Sequence, residues 1–294
     1  MFYRRKLILA LLQAFDNQLE KLSLQKLLFL FTQQQGTPSY DFVPYKFGCY
    51  SFSANADLKA MVTQASLSEE ENFLTKKDKA DYISNLTDQD KKILVSIKEL
   101  YGGLSGNDLM KITYLSHHYY AINSIKAKEV LSGQDYQKVL DAKPKNGNVV
   151  LYTIGYEGVS LETYLNRLIK NDIRVLVDVR NNPMSMKFGF SKSQLKNYCN
   201  SLNIKYEHIP EVGIQSELRQ QLKVQSDYDV LFEKYRKINL AKTLVYQERI
   251  LKLLIEEKRI ALTCFEANIC QCHRKHLAEA ITQLPEWKYK LEHI

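Results

Sequence analysis

With 294 residues, 45% apolar and 25% charged, the chain is long enough for two globular domains, and no apolar run is long enough to span a bilayer. The net charge of +8 is spread over both halves, which permits a nucleic acid or phosphate partner but is equally met by a mildly basic solvated surface. Five cysteines, three of them between Cys264 and Cys272, argue against a disulfide framework and for a reducing, cytoplasmic setting.

In chain order, Met1 to Lys6 places basic residues before an apolar patch. The patch breaks at Gln13 and Asp16 and has no small-residue cleavage site, so no signal peptide is expected. Leu7–Phe15 is apolar at helical spacing. Ser23 is expected to cap a second helix, Leu24–Phe31, which Gly36 and Pro38 end. Phe42–Ser51 reads as one short extended or turn segment. Helices are expected at Asn55–Ala65, Asp88–Tyr101, Ser105–Ser116 and near Ala127–Leu131. Residues 1–140 are thus expected to form a mainly helical domain, winged-helix-like or a small helical fold. Residues 141–148, polar and holding Pro144 and Gly147, read as a linker.

The pattern then alternates over residues 149–294. Strands are expected at Val149–Ile154, Arg174–Val179, Ile204–Ile209 and Arg259–Cys264, with a short one at Lys288–His293. Helices fall between them at Leu161–Lys170, Ser191–Leu202 (capped by Ser191), Tyr228–Ile238, Lys242–Glu257 and His273–Gln283. Strands alternating with helices predict an α/β domain with a doubly wound, largely parallel sheet. Ligands of such sheets bind beyond the carboxyl ends of the strands.

Four polar groups fall at those ends: Gly155-Tyr156-Glu157, Asp178-Val179-Arg180, His208 to Glu211, and Cys264 to His276. Asp178 and Arg180, two apart, face the same side if the strand continues through both. The planar fork of Arg180 suits a phosphate or carboxylate; its alternative role is to pair with Asp178 or Glu266 and hold loops. Lys187, with Phe188 and Phe190, is suited to grip a base and its phosphate, or to pack the loop onto the sheet. As a metal site, Cys264 to His276 offers Cys264, Cys270, Cys272, His273 and His276. The Cys270-x-Cys272 pair is tighter than a zinc knuckle, and Glu266 and Arg274 would crowd the ion, so neither metal nor cofactor is expected. Cys272 stands at a helix start, where free N–H groups and Arg274 favour a thiolate. Glu266 is placed to act as acid, base or anchor. Cys264 and Cys270 read as a buried strand residue and a loop residue.

Two resemblances bear on these residues. LQKLLFLFTQQQG with YDFVPYKFGCYSF resembles the domain of SocA- and Panacea-type antitoxins, although the turn Phe47–Ser51 lacks their proline. It implies an interaction module that recruits a protein partner. Thr153–Glu157, Asp178-Val-Arg180 with Pro183 and Ser185, Lys205–His208, and Cys264-x-Glu266 with Cys272-His-Arg274 together resemble the family known as domain of unknown function 488. That resemblance implies a cytoplasmic bacterial or archaeal α/β protein with recurrent polar positions at Tyr156, Asp178, Arg180, Glu266, Cys272, His273 and Arg274. Departures lie at Val212-Gly213-Ile214, at Met186 and at Cys270. The strand Leu176–Arg180, with a later strand ending in cysteine, is also similar to rhodanese-like domains, where Cys264 would be the nucleophile and Arg274 would close its loop.

Two functions follow from this reading. One is an enzyme acting on a nucleotide or nucleic acid, in phage defence or DNA metabolism. Its catalytic residues would be Asp178, Arg180, Glu266 and Cys272, and Tyr156, Glu157, Lys187, His208, His273 and Arg274 would bind substrate. The other is a non-catalytic nucleic-acid or partner-binding module of a toxin–antitoxin or defence sensor, with salt-dependent binding. No membrane partner is expected.

Overall fold

The computed structural model describes residues 1–215, 218, 222 and 224–294, and the chain divides into two compact units, Met1–Lys143 and Pro144–Ile294. In the first unit, six successive apolar or small residues, Leu7–Leu12, form the buried half of helix α1 (Tyr3–Ala14). Strand β1 (Gln18–Glu20) runs directly into helix α2 (Lys21–Thr32). Glu20 therefore stands at the N-cap, and Ser23, expected to cap, is buried inside the helix. The aromatic segment at 42–51 folds back on itself as β2 (Val43–Tyr45) and β3 (Gly48–Tyr50). Gly48 permits this at φ +88°, and a side chain there would meet Tyr114 at 2.3 Å.

Helix α3 (Phe52–Thr63) is capped by Ser51, and β4 (Leu67–Glu70) and β5 (Phe73–Lys76) pair with β1 as a three-stranded antiparallel sheet. Thr87 caps α4 (Asp88–Tyr101), and Ser105 closes a capping box with Asp108 on α5 (Gly106–Ser116). Short α6 (Ala127–Val130) and α7 (Gly133–Ala142) complete this mainly helical unit.

The second unit alternates as its sequence pattern predicts. It runs β6 (Val150–Gly155), α8 (Leu161–Lys170), β7 (Val175–Asp178), α9 (Lys192–Ser201), β8 (Lys205–His208), α10 (Gln225–Lys234), α11 (Leu244–Glu257), β9 (Arg259–Cys264), α12 (His273–Thr282) and β10 (Lys290–His293). Five parallel strands stand in the order β10-β6-β9-β7-β8. Every residue of β6, β7 and β9 is buried, as their near-continuous apolar runs require in a sheet covered on both faces. Ile260 and Leu262 pack with α11 and α12. Thr263, one residue on, meets the α8 residue Tyr164 through a 2.8 Å hydrogen bond on the other face. Ser191 precedes α9 but makes no cap bond; its hydroxyl exchanges hydrogen bonds with the backbone of Ser185 and so ties down the loop after β7. Among the described residues no helix is long and apolar enough to cross a membrane.

The strand order places a topological switch. After β7 the chain moves outward to β8, whereas after β9 it returns past β6 to β10. The two connections leave neighbouring strands in opposite directions, which opens a crevice beyond Asp178 and Cys264.

Candidate functional site

The crevice is a cleft of about 280 Å³ lined by Tyr156, Arg180, Asn181, Asn182, Met184, Ser185, Met186, Ile214, Cys264, Phe265 and His273. Register explains why these residues meet. Gly155 at the end of β6 lies opposite Cys264 of β9, and Thr263 lies opposite Asp178 of β7. The chain beyond Cys264 then approaches β6 so closely that a side chain on Gly155 would stand 2.0 Å from the Glu266 carbonyl.

Asp178 and Arg180 are both buried and bonded to each other. Asp178 Oδ1 accepts from Arg180 N (3.1 Å) and Nε (2.8 Å), and Oδ2 accepts from Arg180 Nη2 (2.5 Å) and the Tyr206 hydroxyl (2.6 Å). Arg180 Nη1 donates to the Tyr156 hydroxyl (2.6 Å) and the Phe190 carbonyl (2.9 Å). Burial draws the guanidinium pKa down, but the hydrogen bonds and charge of Asp178 overcome it and raise the pKa. A fork engaged on three partners braces the cleft floor rather than reaching for a phosphate, and the carboxylate that accepts four hydrogen bonds is part of the same brace. Tyr156 completes the brace by stacking on Phe190 at 4.2 Å.

The other expected ligand residues mostly tie loops together. Lys187 Nζ donates to the Tyr156 carbonyl at 2.6 Å, and burial lowers its pKa against the opposing charge of Glu157. Exposed Glu157 accepts from the Ala267 amide at 2.9 Å. His208 donates from Nε2 to the Arg180 carbonyl at 2.9 Å, while its Nδ1 faces Lys192 Nζ. Arg274, buried, donates from Nη1 to the Glu266 carbonyl (2.5 Å) and from Nη2 to the Ala267 carbonyl (3.3 Å).

The reactive groups gather elsewhere, around Cys264. Its Sγ lies 3.2 Å from Glu266 Oε2 and 3.6 Å from His273 Nδ1. His273 is buried, and its Nε2 donates to the Val179 carbonyl at 3.0 Å, which leaves Nδ1 facing the sulfur. Cys272 is fully buried at the N-cap of α12 and makes no capping bond. The helix start does not favour its thiolate. Burial, the hydrogen bond to Cys264 and the charges of Cys264 and Glu266 push its thiol up, and Arg274 opposes them only in part. Cys272 also stays out of the cleft lining, whereas Cys264, which reads from the sequence as a plain strand residue, borders it. Cys270 is exposed, and His276 packs against Phe232, away from the cleft lining.

Sequence reasoning missed Tyr206, and raised Cys264 only among five metal-ligand candidates and as the nucleophile of the rhodanese-like resemblance. The signal for Cys264 was its place as the last residue of a buried strand, which matters only once β9 is known to lie between β6 and β7.

Fold and site define a parallel α/β domain with a thiol- and imidazole-bearing cleft at its switch point. Residues 160–281 match the family described as domain of unknown function DUF488. The match lies within the C-terminal unit, Pro144–Ile294. Neither the comparison with curated proteins nor that with solved structures finds a match.

Proposed function

We propose that the C-terminal unit is an enzyme acting on a nucleotide or nucleic acid, with its chemistry at Cys264, Cys272, His273 and Glu266. The observation that carries this reading is the position of Cys264 Sγ at the cleft lining, within reach of both His273 Nδ1 and Glu266 Oε2. Nucleophile, base and orienting carbonyl in one line is the arrangement that activates a thiol or holds a reacting group. The rim supports the substrate class. Met184, Met186 and Phe265 line the cleft while exposed, which suits the face of a base, and Asn181, Asn182 and Ser185 offer polar atoms beside them. The positive net charge favours an anionic partner. Asp178 and Arg180 position the floor in this reading and do not perform the acid–base step.

The N-terminal unit is read as the partner-recognition module. A cleft of about 490 Å³ lined by Tyr45, Phe47 and Tyr50 together with Lys46 and Lys59 supports it.

The test is to incubate the purified protein with a panel of nucleoside phosphates and single-stranded oligonucleotides and to search for products by mass spectrometry, in parallel with Cys264→Ser. A product formed by the wild type and lost in the variant is expected. No product from any member of the panel, or equal product from the variant, would overturn the reading.

A further inference from the structure

The cluster around Cys264 has the composition and spacing of a metal site. We propose that Cys264 Sγ, Cys272 Sγ and His273 Nδ1 bind one thiophilic divalent cation, zinc by its donor set, with the fourth position open to the cleft. This rests on the proposed location of the chemical centre, and it adds the cofactor class.

Four observations carry it. The three ligand atoms lie within 4.8 Å of one another, and all three residues are buried. Two sulfurs about 2.3 Å and a nitrogen about 2.0 Å from a tetrahedral ion stand roughly 3.5–3.8 Å apart, and Cys264 Sγ to His273 Nδ1 is 3.6 Å. The second ring nitrogen of His273 donates to the Val179 carbonyl, which is how a ligating imidazole is usually fixed in tautomer and orientation. The ligands also come from two ordered elements, the end of β9 and the start of α12.

The open position is assigned from the lining of the cleft. Cys264 and His273 line it, whereas Cys272 is not among its lining residues. Glu266 Oε2, 3.2 Å from Cys264 Sγ, stands beside the ligand set as a carboxylate able to handle a proton of bound water. Two thiolates and one imidazole with a nearby glutamate form the donor set used for hydrolytic chemistry on nucleobases. Two thiolates also neutralise a dication, so the buried site carries no net charge from its ligands. Spacing within 264–276 points away from this site because it draws attention to Cys270 and Cys272. The structure instead joins Cys272 to Cys264 across the intervening loop and leaves Cys270 exposed.

The experiment measures metal content of the full chain as isolated by inductively coupled plasma mass spectrometry, then replaces the ion with Co²⁺ after chelation. The expected result is about one zinc per chain, and tetrahedral cobalt bands with a thiolate charge-transfer band. Cys264→Ser and His273→Gln should lose both signals. Cys270→Ser should keep both, so a loss caused by misfolding is recognised by the fluorescence of Trp287, the single tryptophan, within the C-terminal core. Metal-free wild type without a cobalt spectrum, a Cys264–Cys272 disulfide in place of metal, or metal retained by Cys264→Ser would each overturn the proposal. Turnover of nucleotides by metal-free protein would sink the metal site and leave the enzyme reading standing; a metal-loaded protein without turnover would do the reverse.

Discussion

Asp178→Asn separates a brace from a catalytic group. The carboxylate accepts from Arg180 N, Nε and Nη2 and from the Tyr206 hydroxyl, and neither Asp178 nor Arg180 is more than 5% exposed. Asparagine keeps the shape but sets an NH₂ group against at least one of those donors. It also removes the charge that compensates a buried guanidinium. Breaking one side of such a pair costs about 3–5 kcal/mol. At about 2–4 °C per kcal/mol for a unit of this size, the melting midpoint should fall by roughly 6–20 °C. Trp287 packs on the C-terminal core, so its fluorescence during thermal or urea unfolding reads this unit. Asp178→Asn combined with Arg180→Met removes both charges and should lose less than the two single changes added together. A single-variant loss below about 1 kcal/mol would refute the reasoning, because a buried arginine deprived of its partner cannot be that cheap.

Three further outcomes follow from the same structure. Tyr206→Phe removes one hydrogen bond to the Asp178 carboxylate and should destabilise the unit by about 1.5–3 kcal/mol in urea titrations followed at Trp287, with no loss meaning that the hydroxyl is not engaged. Gly155→Ala drives a methyl group into the Glu266 carbonyl, so about 1–3 kcal/mol should be lost, and an unchanged unfolding curve would show the two loops are not in contact. Burial, helped by the charge of His118, lowers the pKa of His117, so the fold prefers the neutral ring. Its stabilising share is full above the ordinary value of 6.5 and is lost as pH falls through the lowered folded value. Far-UV circular dichroism of urea unfolding across that range should show a smaller acid loss for His117→Phe than for the wild type, and equal slopes would contradict it.

The α/β class was legible because β6, β7 and β9 are apolar runs alternating with amphipathic helices, and Arg259–Cys264 and Leu161–Lys170 match their expected limits. The strands β1, β4 and β5 were not legible. They are three or four residues long and carry charged, exposed positions, so neither apolar run nor alternation marks them. The turn at Tyr235–Leu240 continues α10 as a π-helix, which helical periodicity does not predict. For the site, alternation does not reach Arg180, because β7 ends at Asp178; the structure instead shows the two side chains bonded to each other. The choice between Cys264 and Cys272 depended on strand order and on burial at the start of α12, neither of which a linear spacing carries.

Turnover by wild type and Glu266→Gln on the same nucleotide substrate tests the central claim most directly, since Glu266 Oε2 lies 3.2 Å from Cys264 Sγ. The account predicts a loss of about 10²–10⁴-fold with the Trp287 unfolding curve unchanged. Equal turnover in the variant would contradict it and move the chemistry away from Cys264 and its neighbours.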